Sequence, residues 1–175
     1  MLGLRIFNAI ASSIKLMMSG YPQTSAMRMR DVLETVFLVN LFCTDRSAIE
    51  RWRKADAKNR RKEFAPIKVR ISLDDRDGFT ERKREKMYHL FSELAGHPSM
   101  EGFEMLRPLG MDARNGPFLD STALEAVTSE LGRLAMQVGE HFVAFFSDEW
   151  SNAQATRQAF ARTKLSWAKE FYAKP

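Results

Sequence analysis

The chain has very little cysteine and histidine, the residues on which many metal sites and nucleophilic enzymes depend. Its 175 residues include one cysteine, Cys43, and three histidines, His89, His97 and His141. One cysteine cannot form an intrachain disulfide, and a single Cys within an apolar run is more often a small core residue than a nucleophile. The sequence has no Cys pair and no His-Glu-x-x-His motif, so we expect no metal site and no cofactor.

Long apolar runs and glycine-rich phosphate loops are also missing. No segment approaches the roughly 18 apolar residues that a membrane-spanning helix needs, so we expect no membrane partner. Segment 1–20 could pass for a signal peptide, but polar residues interrupt it and its apolar residues recur at helical spacing. We therefore expect an amphipathic helix there, and a cytoplasmic protein.

Positive charge is present in excess and is concentrated in one segment. The net charge is +5, yet residues 46–62 alone hold eight Lys and Arg against two acidic residues. Such a basic face indicates RNA or another anionic partner, with a solvated helix face as the ordinary alternative. The candidates for nucleic-acid contact are Arg51, Arg53, Lys54, Lys58, Arg60 and Arg61.

Helical periodicity runs through most of the chain and predicts a single all-α domain over residues 1–175. We expect a bundle of about six helices, with a small hairpin or ordered loop near residues 98–119. Segment 67–73, IKVRISL, alternates as a strand would, but we prefer a short helix because no partner strand is nearby. The predicted helices cover 3–18, 26–43, 46–64, 67–73, 81–95, 122–146 and 148–172.

The last predicted helix carries aromatic and basic residues on one face. The pattern is typical of a packing face within the chain or of a dimer interface, so one prediction is a homodimer formed through helix 148–172. Stacking of bases on the same face is the alternative. The residues of this face are Trp150, Arg157, Phe160, Lys164, Trp167 and Phe171.

Polar residues on two predicted helices indicate a ligand site. Arg30 and Glu34 are four apart, so they share a helix face just where the most apolar run of the chain begins. A buried salt bridge that fixes helix register is one interpretation, and a polar pocket inside a bundle is the other. Tyr88 and Ser92 are also four apart, and His97 follows the end of their helix, where a cation is favoured. We predict that these five residues form a binding centre.

The same motifs resemble a group of uncharacterised bacterial helical proteins, a family with a domain of unknown function. Its pattern joins Arg-x-x-x-Glu, Tyr-x-x-x-Ser-x-x-x-x-His and Gly-Pro-Phe before a long helix. The corresponding segments here are RDVLE (30–34), YHLFSELAGH (88–97) and GPF (116–118), within residues 25–140. The resemblance implies an all-α fold and no established activity. Together with the polar residues, it favours a binding or interaction module of unknown ligand.

Segment 84–89, REKMYH, resembles a second family, the HEPN superfamily of helical nucleotide-binding and ribonuclease domains. Members often carry an Arg followed at short spacing by a His. The resemblance implies a metal-independent ribonuclease, a toxin or defence effector, in which Arg84 and His89 act across a homodimer cleft. Histidine suits a proton shuttle and arginine a cation beside the phosphate. Glu85 departs from the pattern and would repel phosphate. The sequence thus leaves open whether the protein is an enzyme.

Overall fold

Helices packed around a central second helix make up the fold. The computed structural model describes residues 1–108 and 110–172, and within them there is no β-strand, so the all-α prediction is confirmed. The elements are α1 (Leu2–Met18), α2 (Pro22–Thr44), α3 (Ser47–Lys54), α4 (Ala57–Phe64), α5 (Pro66–Asp77), α6 (Lys83–Phe91), a π-helical turn (Ser92–Gly96), α7 (Met100–Glu104), α8 (Ser121–Phe145) and α9 (Ala153–Phe171).

Helix α2 occupies the centre because its sequence is apolar on nearly every side. Val32 and Leu33 are fully buried, and Val36, Phe37 and Val39 are almost so. The helix contacts α1, α5, α6, the π-helical turn and α8. Since neighbours surround it, any polar side chain that α2 carries near its middle must find a partner inside the bundle. This arrangement determines where the functional site lies.

Segment 67–73 is helical, as preferred from the sequence, and belongs to α5. Pro66 stands in the first turn of this helix, where its missing N–H costs nothing. The period of the helix then buries Val69, Arg70, Leu73 and Asp74 on one face. Because α5 packs against α2 and α6, two charged side chains of α5 enter the interior of the bundle.

Two of the predicted helices, 46–64 and 81–95, are each divided into two elements. The predicted helix 46–64 is two helices, because the carboxylate of Asp56 accepts from the N–H of Asn59 and starts α4 anew. The predicted helix 81–95 is α6 followed by a π-helical turn that ends at Gly96, whose backbone is not in the left-handed conformation of a glycine cap. Segment 98–119 contains α7 and turns, so of the two alternatives the ordered loop holds over its described residues; Leu109 lies outside them.

Candidate functional site

Four of the predicted binding residues come together between α2 and α6. The Nε of Arg30 lies 3.3 Å from Oε1 of Glu34, its i+4 neighbour. Its Nη2 donates to the hydroxyl of Tyr88 on α6. The guanidinium carbon of Arg30 also lies 4.9 Å from the centre of the Tyr88 ring, so a cation–π contact accompanies the hydrogen bond. Ser92 is buried one turn beyond Tyr88.

The missing side chain of Gly96 makes room for Arg30. A Cβ atom at Gly96 would overlap Nη1 of Arg30 and lie 3.6 Å from Cβ of Ser92. Gly96 belongs to the π-helical turn, an insertion that is frequent at functional sites and that brings its backbone toward α2. The absence of a side chain at Gly96 therefore allows the guanidinium of Arg30 to approach its backbone closely.

Arg70, which the sequence analysis did not single out, completes the group. Its guanidinium carbon lies 3.8 Å from the centre of the Tyr88 ring, and only 4% of the residue is exposed. Its Nε and Nη1 are buried without a hydrogen-bond partner among residues 1–108 and 110–172. We call Arg30, Glu34, Arg70, Tyr88 and Ser92 the polar centre. It contains two cations and one carboxylate, so it carries net positive charge inside the bundle.

The hydroxyl of Ser92 is a further unpaired group in the polar centre. Its Oγ is buried and has no partner within the described part of the chain. Buried polar atoms are nearly always satisfied in folded proteins, so each exception requires an explanation. His97, by contrast, is exposed, and its side chain forms no hydrogen bond or ion pair with the polar centre within the described residues. The structure thus groups Arg70 with four of the five predicted binding residues, and a role for His97 stays a prediction.

The predicted Arg84–His89 pair has a different geometry. Arg84 is only 13% exposed, and it forms ion pairs with Asp74, at 2.7 Å, and with Asp77. The side chain of His89 is 57% exposed and lies 3.7 Å from the carboxylate of Glu85. Two carboxylates already neutralise Arg84, so a phosphate would have to displace one of them. This arrangement is that of a structural ion-pair cluster.

His141, to which the sequence analysis gave no role, lies beside Arg84. The two residues line a cavity of about 420 Å³ together with Lys83, Arg76 and Asp77. Burial lowers the pKa of His141 below its ordinary value, and the nearby arginines act in the same direction. The carboxylates of Glu140 and Asp77 oppose this shift in pKa but do not reverse it. No sequence pattern pointed to it, because it comes from α8, far along the chain.

Three of the six candidate nucleic-acid contacts are engaged in surface ion pairs. Arg51 pairs with Asp45 and Glu63, and Arg53 and Lys54 pair with Glu50. Arg60 stacks on Trp52 and donates to a backbone carbonyl. Lys58 and Arg61, both exposed on α4, form no ion pair with any described residue. Of the six candidate nucleic-acid contacts, Lys58, Arg60 and Arg61 are therefore the ones whose charge no carboxylate of the described residues pairs with.

Two aromatic residues of the predicted face, Phe160 and Trp167, pack against α8, whereas Trp150 lies before α9 and both it and Phe171 are exposed. A Cβ at Gly139 of α8 would overlap the ring of Phe160, and one at Gly132 would lie 3.1 Å from Nε1 of Trp167. The two glycines are seven residues apart on α8, and the two aromatic residues are seven apart on α9, so the same contact recurs two turns along both helices. Each ring occupies the space that the missing side chain of a glycine leaves. At these two residues the predicted face is therefore a packing face within the chain. A homodimer through 148–172 stays a prediction.

Comparisons with known proteins assign no relative: no family model, curated protein or solved structure matches the chain. Both resemblances seen in the sequence therefore stay predictions. Within the described ranges, no three His, Cys, Asp or Glu residues are grouped so that they could hold a metal ion. No helix in those ranges is long and apolar enough to cross a membrane.

Proposed function

We propose that the protein is a helical binding module that takes an oxyanion, such as a phosphate, sulfate or carboxylate group, at the polar centre. Arg70 is the observation that carries the proposal, because its buried guanidinium has neither a counter-ion nor an acceptor for Nε and Nη1 in the described residues. An unpaired buried charge costs several kcal/mol. A bound oxyanion would supply both the missing charge and the missing acceptors.

The aromatic ring beside Arg70 offsets only part of this cost. Both Arg30 and Arg70 lie against the ring of Tyr88. A desolvated cation–π contact contributes about 2 kcal/mol, which is less than the cost of an unpaired buried cation. Glu34 contacts Arg30 and makes no ion pair with Arg70. Because the cation–π contact is worth less than this cost, the difference supports a role for Arg70 in binding an anion from outside the chain.

The donors that remain free fit an acceptor with several oxygens. Nε and Nη1 belong to different edges of the planar guanidinium, so one oxygen cannot accept from both in good geometry. The Oγ of Ser92 is a third free donor. The side chain of Arg30 is 24% exposed, so this is the cation of the pair that solvent reaches and the side by which a small anion would enter.

The test compares wild type with Arg70→Met in buffers of equal ionic strength that contain chloride or inorganic phosphate. Methionine keeps much of the length of the side chain and removes the charge. Phosphate at 100 times its Kd should raise the free energy of unfolding of wild type by about 2.7 kcal/mol and leave the variant unchanged. In chloride the variant should be as stable as wild type or more so, since it no longer buries an unpaired cation. The measurement is denaturant-induced unfolding.

A matched control separates the site from the basic surface. Arg61→Met removes an exposed guanidinium of α4, and its response to phosphate should equal that of wild type. The proposal is wrong if wild type and Arg70→Met differ by the same free energy at every phosphate concentration. In that case Arg70 is a cation that the Tyr88 ring and the surrounding protein tolerate without a ligand.

A further inference from the structure

A second candidate site is a cavity with apolar walls. Its volume is about 600 Å³, and it is bounded by α2, the end of α6, α7 and the start of α8. The apolar lining residues include Met29, Phe91, Met105, Phe118 and Ala126. None of the polar-centre residues is among the residues that line it. Ligand sites in proteins typically have this size and this apolar character.

The charged residues that line this cavity are mostly acidic, whereas the chain as a whole is basic. Four carboxylates line it, those of Glu101, Glu104, Asp120 and Glu130, against the single guanidinium of Arg107. The chain as a whole has an excess of basic residues. A cavity with apolar walls and an acidic rim is electrostatically complementary to a ligand that joins a hydrocarbon part to a cation.

Glu101 is the rim carboxylate that is free to receive a cation. Glu104 pairs with Arg107, at 3.1 Å, and Glu130 pairs with Arg133. Asp120 caps α8 by accepting from the N–H of Ala123. Glu101 is exposed on α7 and forms no ion pair or side-chain hydrogen bond with any described residue. A cation bound there would gain a partner without displacing an existing one.

The volume of the cavity favours a small molecule over a helical peptide. An α-helix with side chains is 10–12 Å across and rises 5.4 Å per turn, so each turn occupies roughly 500 Å³. The cavity therefore holds about one turn, whereas recognition of an amphipathic helix uses anchors spread over at least two. Two of the wall residues, Met29 and Met105, have flexible side chains that adapt to ligands of different shape.

We propose that this cavity binds a small apolar amine, whose hydrocarbon part lies among the methionine and phenylalanine side chains and whose ammonium group lies at Glu101. The site is distinct from the polar centre, and its ligand has the opposite charge. The proposal therefore stands or falls independently of the oxyanion site.

The experiment titrates the whole chain with octylamine, octanol and octanoate, three ligands with the same hydrocarbon part and different charge. Methyl resonances of Met29, Met105 and Met111, all of which line the cavity, report binding by NMR. Octylamine should bind most tightly and octanoate least. Glu101→Gln should weaken octylamine about fivefold and leave octanol unchanged, as expected for a partly exposed charge pair. Glu149→Gln, which removes an exposed carboxylate outside the cavity, should alter neither affinity.

A second variant tests the position of the hydrocarbon part. Ala126→Trp fills the cavity from an exposed position of α8, so it should abolish binding of octylamine and octanol while the protein stays folded. The proposal is overturned by any of three results: octanoate binding as tightly as octylamine, an unchanged affinity for octylamine in Glu101→Gln, or octylamine binding that survives Ala126→Trp in the folded protein. Glu101→Gln keeps the test decisive if the tryptophan variant does not fold.

Discussion

Arg70 and Arg84 occupy corresponding places in the pair formed by α5 and α6, yet their surroundings are opposite. Arg84 of α6 faces Asp74 of α5, and Arg70 of α5 faces Tyr88 of α6. Each helix thus contributes one arginine and, four residues later, the partner of the arginine on the other helix. Asp74 follows Arg70 on α5, and Tyr88 follows Arg84 on α6. One contact has a carboxylate where the other has an aromatic ring.

The difference is between an ion pair, in which the charge of Arg84 is compensated, and a cation–π contact, in which the charge of Arg70 has no counter-ion among the described residues. Arg84 has two aspartates, Asp74 and Asp77, so its charge is compensated within the described residues. Arg70 has a ring and unsatisfied donors. Local conflicts of this kind in natural proteins are expected at functional sites, where structural self-consistency yields to another requirement. We therefore expect the ion pairs of Arg84 to contribute stability, and our proposal places ligand binding at Arg70.

The largest expected effect on stability comes from removing Asp74, the buried carboxylate that pairs with Arg84. Asp74→Ala should lower the free energy of unfolding by about 3 kcal/mol, because breaking a buried pair leaves Arg84 partly uncompensated. Asp74 is almost fully buried, and Asp77 remains to limit the loss. Denaturant-induced unfolding measures the change. Asp75→Ala, at the exposed neighbouring position, should stay within about 0.5 kcal/mol of wild type.

If Asp74→Ala and Asp75→Ala have equal effects, then the Arg84 pair contributes no more than an exposed residue does. The contrast with Arg70 would then lose its basis, since neither arginine would depend on a buried counter-ion. A loss of about 3 kcal/mol in Asp74→Ala together with a stable Arg70→Met in chloride would establish the contrast from both sides.

The fold was predictable because the sequence patterns that specify it are local. The all-round apolar character of α2, the cap residue Asp120 and the turn before α6 all lie within short segments. The break at Asp56 was missed because neither Pro nor Gly marks it, and a single cap hydrogen bond decides it. The π-helical turn was missed because it depends on the packing of Arg30 against Gly96, which are distant in sequence.

The polar centre was predictable only in part for the same reason. Arg30 and Glu34, and likewise Tyr88 and Ser92, are four apart, and that spacing places each pair on one helix face. Arg70 and Asp74 have the same spacing, so a sequence argument would pair them with one another. In the fold each turns to a residue of α6 instead. Only the packing of α5 on α6 determines which arginine lacks a carboxylate.

A smaller effect is expected from titrating the second carboxylate of the Arg84 end. Hydrogen bonds from Arg76 and then Arg84 lower the pKa of Asp77 from 3.8 to about 2. Its contribution to stability is therefore complete above the ordinary pKa and is lost as pH falls toward 2. Asp77→Asn should be about 1 kcal/mol less stable than wild type at pH 7, after allowance for solvent screening, and this difference should disappear as pH falls through about 2.

The pH series needs a variant that removes a carboxylate without a guanidinium partner. Asp75→Asn meets this condition, since Asp75 is exposed and forms no ion pair in the described residues. Its stability relative to wild type should not vary over the same pH range, from pH 7 down to about 2. A difference between wild type and Asp77→Asn that is the same at every pH would mean that Asp77 does not stabilise Arg84 through its charge.

The smallest effect is expected at His89, the second residue of the predicted ribonuclease pair. His89→Ala should change the free energy of unfolding by less than about 0.5 kcal/mol, because the imidazole is exposed and its contact with Glu85 is a surface pair. We also expect neither wild type nor the variant to cleave single-stranded RNA, since the donors of Arg84 are occupied by two carboxylates. His97→Ala, at another exposed histidine, is the matched control. Cleavage by wild type and by His97→Ala, abolished in His89→Ala, would contradict the structural assignment of the Arg84 cluster and make the ribonuclease the better account.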